Sequence, residues 1–329
     1  MEKIVRSICF FRKEFTNIDQ ELKMVEDTLQ ANQFSIQTKR ICCQEYDGSL
    51  TPLFFSVGLK SPDQVQELLP TFFASENMSL TLDLTSEAIS MYHVDMLFKI
   101  IREKPRKTFL FSYGCSIPPS SPYFPSATFD REGFSIGLQP TNLAYDCTSV
   151  EEWLEKMRTV WDELNVLLSS IPGFLGIDSS VAPLHRKSGS LIHFVKQLQP
   201  SFSQSVTTDL YTRISSFIVE KNPVPIGLCG IMFPCLEDFE LAEEYEAGNF
   251  TIERNLFLSL HSGLGIDTYP IGVDESKGRV LEILRLVQRL SLKYGKPLSV
   301  RFVSDGKAKI GERALFNNQY LYDVVVREL

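Results

Sequence analysis

Segments that read as strands and segments that read as helices alternate from Ile4 to Tyr113, and this alternation narrows the fold more than any other feature. Ile4 to Phe11 is an apolar run of strand length, and Asn17-Ile-Asp-Gln-Glu21 then supplies a cap and acids for a helix to about Ala31. Phe34 to Cys43 begins with strand-like alternation. A β-α-β opening implies parallel pairing with a right-handed crossover. Ser61-Pro-Asp-Gln starts a second helix with proline in its first turn, Met78 to Leu84 is a short strand, Thr85-Ser-Glu-Ala begins a helix ending near Lys104-Pro105, and Lys107 to Tyr113 is a strand. With 329 residues, 43% of them hydrophobic, the chain can bury one large core, so a single α/β domain over residues 1–329 is expected.

Gly114 to Pro125 interrupts the rhythm. Four prolines between Pro118 and Pro125 exclude both a helix interior and a central strand, so this is a long, stiff loop. Cys115 stands just beyond a strand end with Tyr123 and Phe124 nearby, which suits the rim of a small-molecule site; a plain buried thiol is the structural alternative. Ala127 to Leu138 reads as a hairpin turning at Asp130-Arg-Glu-Gly133. Thr148 with Glu151 forms a capping box for a helix to about Ser170. Thr207 to Lys221 is a helix and Val224 to Met232 a buried strand. Leu236 to Glu244 is a helix whose acidic face is read as solvated. A helix from Thr251 delivers His261, Asp274 opens a long helix to Tyr294, Leu298 to Val303 is a strand carrying Arg301, and Ile310 to Phe316 with Leu321 to Val326 close the chain.

Chemistry-bearing groups concentrate in Ser259 to Ser276, which contains Leu264-Gly-Ile-Asp-Thr268, and the same pattern occurs in Gly173-Phe-Leu-Gly-Ile-Asp-Ser-Ser-Val-Ala-Pro183. Two equivalent strand ends suggest a two-halved sheet or barrel with one shared rim. Asp178 and Asp267 would face each other there within about 12 Å, with Ser179 and Thr268 beside them and Cys115 and the proline loop as a wall. Paired acids suit proton transfer or the holding of Mg²⁺ or Ca²⁺ through oxygen ligands, and no Cys/His spacing suits zinc. His185, in a loop, and His261 are the candidate acid–base histidines; His93 and His193 read as structural. An anion would be taken by Arg301 or by the helix start at Lys187 to Ser190, which includes Ser188.

The net charge of −8 argues against a nucleic-acid surface, since phosphate contacts need a clustered positive face. Seven cysteines at scattered spacings give no disulfide framework, and no run of about eighteen apolar residues is present to enter a membrane. The opening Met1-Glu-Lys-Ile-Val-Arg lacks an apolar leader core, so a cytoplasmic location is expected, with homo-oligomerisation left open.

Val5-Arg-Ser-Ile8, Ser121-Pro-Tyr-Phe-Pro-Ser-Ala127 with Gly133-Phe-Ser-Ile-Gly-Leu138, Gly176-Ile-Asp-Ser-Ser-Val-Ala-Pro183, Gly265-Ile-Asp-Thr-Tyr-Pro-Ile271 and Leu298-Ser-Val-Arg-Phe-Val303 resemble, in this order, the family known as domain of unknown function 711, also termed uncharacterised protein family 0210. The resemblance implies a two-halved parallel α/β barrel like that of pyruvate formate-lyase and other glycyl-radical enzymes. The chain departs from such enzymes in having no arginine-valine-x-glycine-tyrosine loop near its C-terminus, so no glycyl radical is expected. It also has Ser262 where longer family members often place a cysteine before the Gly-x-Asp turn. Two functions stay open. One is a non-radical enzyme acting on a small anionic metabolite in a rim cleft; the other is a non-catalytic ligand-binding or regulatory protein on a degenerate glycyl-radical-type barrel.

Overall fold

The computed structural model describes residues 2–45 and 52–329; Met1, where the leader reading begins, lies outside them. Among the described residues nine strands form one mixed, mostly parallel sheet: β1 Lys3–Arg12, β2 Phe34–Cys43, β3 Phe54–Lys60, β4 Met78–Asp83, β5 Phe111–Cys115, β6 Gly133–Leu138, β7 Phe174–Asp178, β8 Gly265–Pro270 and β9 Leu298–Val303. Their order is β7-β6-β1-β2-β3-β4-β5-β9-β8. Strands β1 to β5 run parallel in sequence order, while β6 and β9 pair antiparallel with β1 and β5. The sheet therefore holds two oppositely directed sets, β1–β5 and β6–β9. Both edge strands are tied by isolated parallel bridges to one segment: Ile177 to Pro225 and Val181 to Ile231 on one side, Ile231 to Gly263 and Pro234 to Asp267 on the other.

Ten α-helices among the described residues accompany the sheet: α1 Asp19–Ala31, α2 Pro62–Ala74, α3 Met91–Glu103, α4 Val150–Leu168, α5 Leu191–Leu198, α6 Phe202–Ser205, α7 Leu210–Glu220, α8 Phe239–Glu246, α9 Ile252–His261 and α10 Lys277–Tyr294. Helix α4 shows why such segments pack. Val150, Trp153, Leu154, Met157, Val160, Trp161, Leu164 and Leu168 recur at helical spacing and are all buried, and the Trp153 indole donates to the Pro140 carbonyl at 2.7 Å. Helix α10 starts where Ser276 accepts from the Arg279 N–H and stops at Gly295, whose φ of 58° is the left-handed cap.

Several expectations are corrected. Strand β3 had no sequence-based counterpart. Its register with β4 slips between Ser56 and Leu59, and Gly58 has a φ of 76°, which breaks the alternation that would have marked it. Residues 127–132 form no strand: β6 pairs with β1 and β7, so no 127–138 hairpin exists. Helix α3 begins at Met91 after Ser90, six residues beyond Thr85, and the expected strand from Lys107 begins at Phe111 after a short 3₁₀ turn. The α4 cap is Ser149, while Glu152 reaches back to the Thr148 N–H, one residue later than the expected pair. Residues 224–232 and 310–326 contribute isolated bridges and no regular strands.

The two Leu-Gly-Ile-Asp copies run into β7 and β8, the two edge strands of the sheet, which share one direction. What they share is a glycine where a neighbouring chain presses in. A Cβ on Gly176, at φ 148°, would sit 2.5 Å from the Val224 carbonyl oxygen, and one on Gly265, at φ 110°, only 2.1 Å from that of Ser299. The repeat is thus a strand-packing device first. Among the described residues no helix is long and apolar enough to cross a membrane.

Candidate functional site

Charged residues inside strands are costly unless they pair, and β1, β2 and β9 each hold an arginine away from their ends: Arg6, Arg40 and Arg301. All three line one cavity of about 80 Å³, together with Glu237 from the turn before α8, Asp267 of β8 and the aromatic rings of Phe109, Tyr123, Phe124 and Tyr320. That is room for several water molecules or a small metabolite.

Arg301 organises the charges. Its Nε donates to Asp267 Oδ1 at 2.6 Å, its Nη2 to Glu237 Oε1 at 2.6 Å, and its Nη1 to the Phe109 carbonyl at 3.2 Å. Burial pulls its pKa down, but the two carboxylates more than offset this and the net shift is upward, so it is a fixed cation. Glu237, only 6% exposed, also receives Arg6 Nη2 at 3.4 Å. Burial nevertheless raises its pKa, against the pull of Arg301.

Arg40 is the exception. Its Nη1 donates to the Pro122 carbonyl at 3.3 Å and its guanidinium lies 4.9 Å from the Phe124 ring centre, yet no carboxylate is within ion-pair range among the described residues. Its Nε, like that of Arg6, is buried with no hydrogen-bond partner among the described residues. Burial, then the like charge of Arg6, lowers its pKa to about 10. Two under-bonded guanidinium groups on one wall are a standing demand for an anion.

The residues singled out from sequence divide sharply. Asp267, Arg301 and Tyr123 line the cavity. Tyr123 does so with its hydroxyl committed to the Leu138 carbonyl at 2.8 Å. Phe124 and Pro125 of the proline loop join them, whereas Cys115 is not among the walls; it is 2% exposed at the end of β5, and burial raises its thiol pKa to about 12. Asp178 is also absent from the walls. Its fully buried carboxylate accepts five hydrogen bonds, from Ser121 Oγ, the Ser180 N–H and Oγ, and the N–H groups of Leu228 and Cys229. Those donors fill the acceptor positions of a carboxylate. Ser179 donates to the Ile218 carbonyl and Thr268 Oγ1 accepts from the Leu236 N–H. His185 is an exposed loop residue whose ring stacks on Tyr320 with centres 6.0 Å apart; burial and Arg6 lower its pKa. His261 ends α9 against Ser262 Oγ at 2.7 Å, outside the cavity walls. Among the described residues no group of three or more His, Cys, Asp or Glu side chains is placed to hold a metal ion.

The helix start at Lys187 to Ser190 already has its anion. Asp238 accepts from Ser190 Oγ at 2.5 Å and from the Leu191 and Ile192 N–H groups at 3.0 and 3.3 Å, while capping its own helix at the Leu241 N–H. One buried carboxylate thus serves two helix ends, and burial lifts its pKa to about 7. The acidic run is not a solvated face, since Glu237, Asp238, Glu240 and Glu244 are all buried. Sequence reasoning missed Arg6, Arg40 and Glu237. The readable signal was a cation inside a strand, in Arg6 amid the apolar Ile4 to Phe11 and in Arg40 two residues from Thr38 on the same strand face.

The sequence profile of the family described as Uncharacterised ACR (DUF711) matches residues 77–317, and the chain belongs to that family. The matched span includes Glu237, Asp267 and Arg301, while Arg6 and Arg40 lie before it. No curated protein matches the chain.

Proposed function

We propose that the cavity binds a small anionic metabolite directly on Arg6 and Arg40, and that the protein is a non-radical enzyme acting on it. The observation that carries this reading is Arg40, a half-buried cation whose Nε is buried and unbonded and which has no carboxylate partner among the described residues. Asp267 is the proton-transfer group. Arg301 holds its Oδ1, no hydrogen bond to its Oδ2 is made among the described residues, and Asp267 stands on the cavity wall. Because Arg301 already offsets both carboxylates, the reading uses direct cationic contacts in place of a bridging Mg²⁺ or Ca²⁺. The bridges from both sheet edges to residues 225–234 support a further step: the sheet curls into a barrel of two oppositely directed parallel sets, like that of pyruvate formate-lyase, with the cavity inside it.

The second reading is a binding or regulatory protein. It is favoured by the absence of any serine or cysteine from these cavity walls among the described residues and by Thr38, whose hydroxyl is spent on the Arg6 carbonyl at 2.7 Å.

A thermal-shift screen of small carboxylates and phosphates, with and without Mg²⁺ or Ca²⁺, tests the site in the wild type and in Arg40→Met. A ligand at a hundred times its Kd adds about 2.7 kcal/mol to the native state. Stabilisation of the wild type alone, independent of divalent cation, is expected. Equal stabilisation of both proteins, or a strict requirement for the cation, counts against it, and turnover of the stabilising ligand separates enzyme from binder.

A further inference from the structure

We infer that the ligand is a monocarboxylate with a short apolar tail, and that the tail is seated in a second chamber beyond the Asp267–Arg301 pair. This rests on the anion-binding reading above. A chamber of about 30 Å³ adjoins the cavity and shares Asp267, Arg301, Met232 and Phe124 with it as walls. Its size admits about two waters, or two to three carbon atoms.

Two features choose the ligand. The first is charge: among the described residues and with both carboxylates ionised, Arg6, Arg40 and Arg301 against Glu237 and Asp267 leave one positive charge in the cavity, which one carboxylate neutralises and a dianion overshoots. The second is the chemistry of the inner walls. Met232, Phe233 and Leu264 present apolar surface, and the hydroxyls there are already committed, Ser112 to Thr81 at 2.9 Å and to Ser126 at 3.3 Å, and Ser299 to the Leu264 carbonyl at 3.4 Å. A polar tail would find no unmet partner among these hydroxyls, whereas an apolar tail gives up water at no such cost. The carboxylate therefore belongs at Arg40 and the tail at Leu264.

Calorimetric titration with straight-chain acids from acetate to hexanoate, together with phosphate and succinate, tests this on the wild type, Leu264→Ala and Leu264→Phe. In the wild type, affinity rises to an optimum at a short chain and falls roughly ten-fold for the next carbon, the discrimination a closed apolar pocket achieves per methylene. Leu264→Ala moves the optimum to a longer acid. Leu264→Phe weakens the acid at the wild-type optimum by roughly ten-fold and leaves acetate little changed. Should the phenylalanine variant not fold, Leu264→Ala carries the test, since it only removes atoms. Equal affinity for all chain lengths, an optimum unmoved by Leu264→Ala, or tighter binding of phosphate or succinate overturns the inference while leaving an anion site in place. No binding of any anion by the wild type overturns the anion reading itself.

Discussion

Replacing Arg301 by methionine removes the centre of the charge cluster and keeps similar bulk. The variant loses two charge-assisted hydrogen bonds of 2.6 Å and one to the Phe109 carbonyl, and it leaves the Glu237 and Asp267 side chains, 8% and 17% exposed, without their main counterion. Breaking a buried pair from one side costs about 3–5 kcal/mol, because the remaining charge stays desolvated. Arg6 still reaches Glu237 at 3.4 Å, so the lower end, about 3 kcal/mol, is the expectation. An unfolding entropy of about 2.1 cal/mol/K per residue makes that a fall in Tm of about 4 °C for a chain of this length. The loss should also depend on pH. Burial already raises the Glu237 pKa, and without Arg301 it rises further. A carboxylate whose folded pKa lies above its unfolded value stabilises most below the unfolded value and loses that contribution as pH rises through the folded one, so the deficit of Arg301→Met grows from acid to neutral pH. Urea unfolding at a series of pH values measures both effects. A variant within about 0.5 kcal/mol of the wild type at pH 7, the range of an ordinary surface substitution, would show that the cluster is not the compensated buried network described here.

Asp238→Asn tests the shared helix cap. With a folded pKa raised to about 7, Asp238 contributes stability that is full below its unfolded pKa and is lost as pH climbs through about 7, so the wild type's advantage over the variant should narrow by a few kcal/mol between pH 4 and 7; a widening gap would mark a depressed pKa instead. Gly265→Ala places a methyl group 2.1 Å from the Ser299 carbonyl oxygen at a φ of 110°, and should cost about 3 kcal/mol or more in urea unfolding; a loss under about 0.5 kcal/mol would mean that β8 and β9 are not so closely apposed.

What the sequence made legible was governed by local pattern. The apolar runs of β1 and β9 and the buried stripe and cap of α10 all sit within a residue or a few of where periodicity places them. What it hid depended on distant partners. The turn signal at Asp130-Arg-Glu-Gly133 is real, yet the strand after it pairs with β1, more than a hundred residues earlier, and not with its neighbour. The acidic run from Glu237 to Glu244 looks solvated until Arg301, 64 positions away, and Arg6, 231 positions away, converge on its first residue. The two Leu-Gly-Ile-Asp copies drew attention to two aspartates of unlike fate: one carboxylate is filled by five protein donors, the other stands on a cavity wall beside an arginine. The shared Leu-Gly-Ile-Asp cannot distinguish them: Ser180 supplies two of the donors to Asp178 locally, but the other three come from the 121 and 228–229 segments, which no local pattern links to it.

The most direct test of the site is a crystal of the wild type soaked in 3-bromopropionate, with the bromine located by anomalous scattering. The carboxylate is expected within hydrogen-bond distance of the Arg40 and Arg6 guanidinium groups and the bromine beside Leu264 and Met232. A clear bromine peak elsewhere on the protein with the cavity empty, or a carboxylate bound away from Arg40, would contradict it.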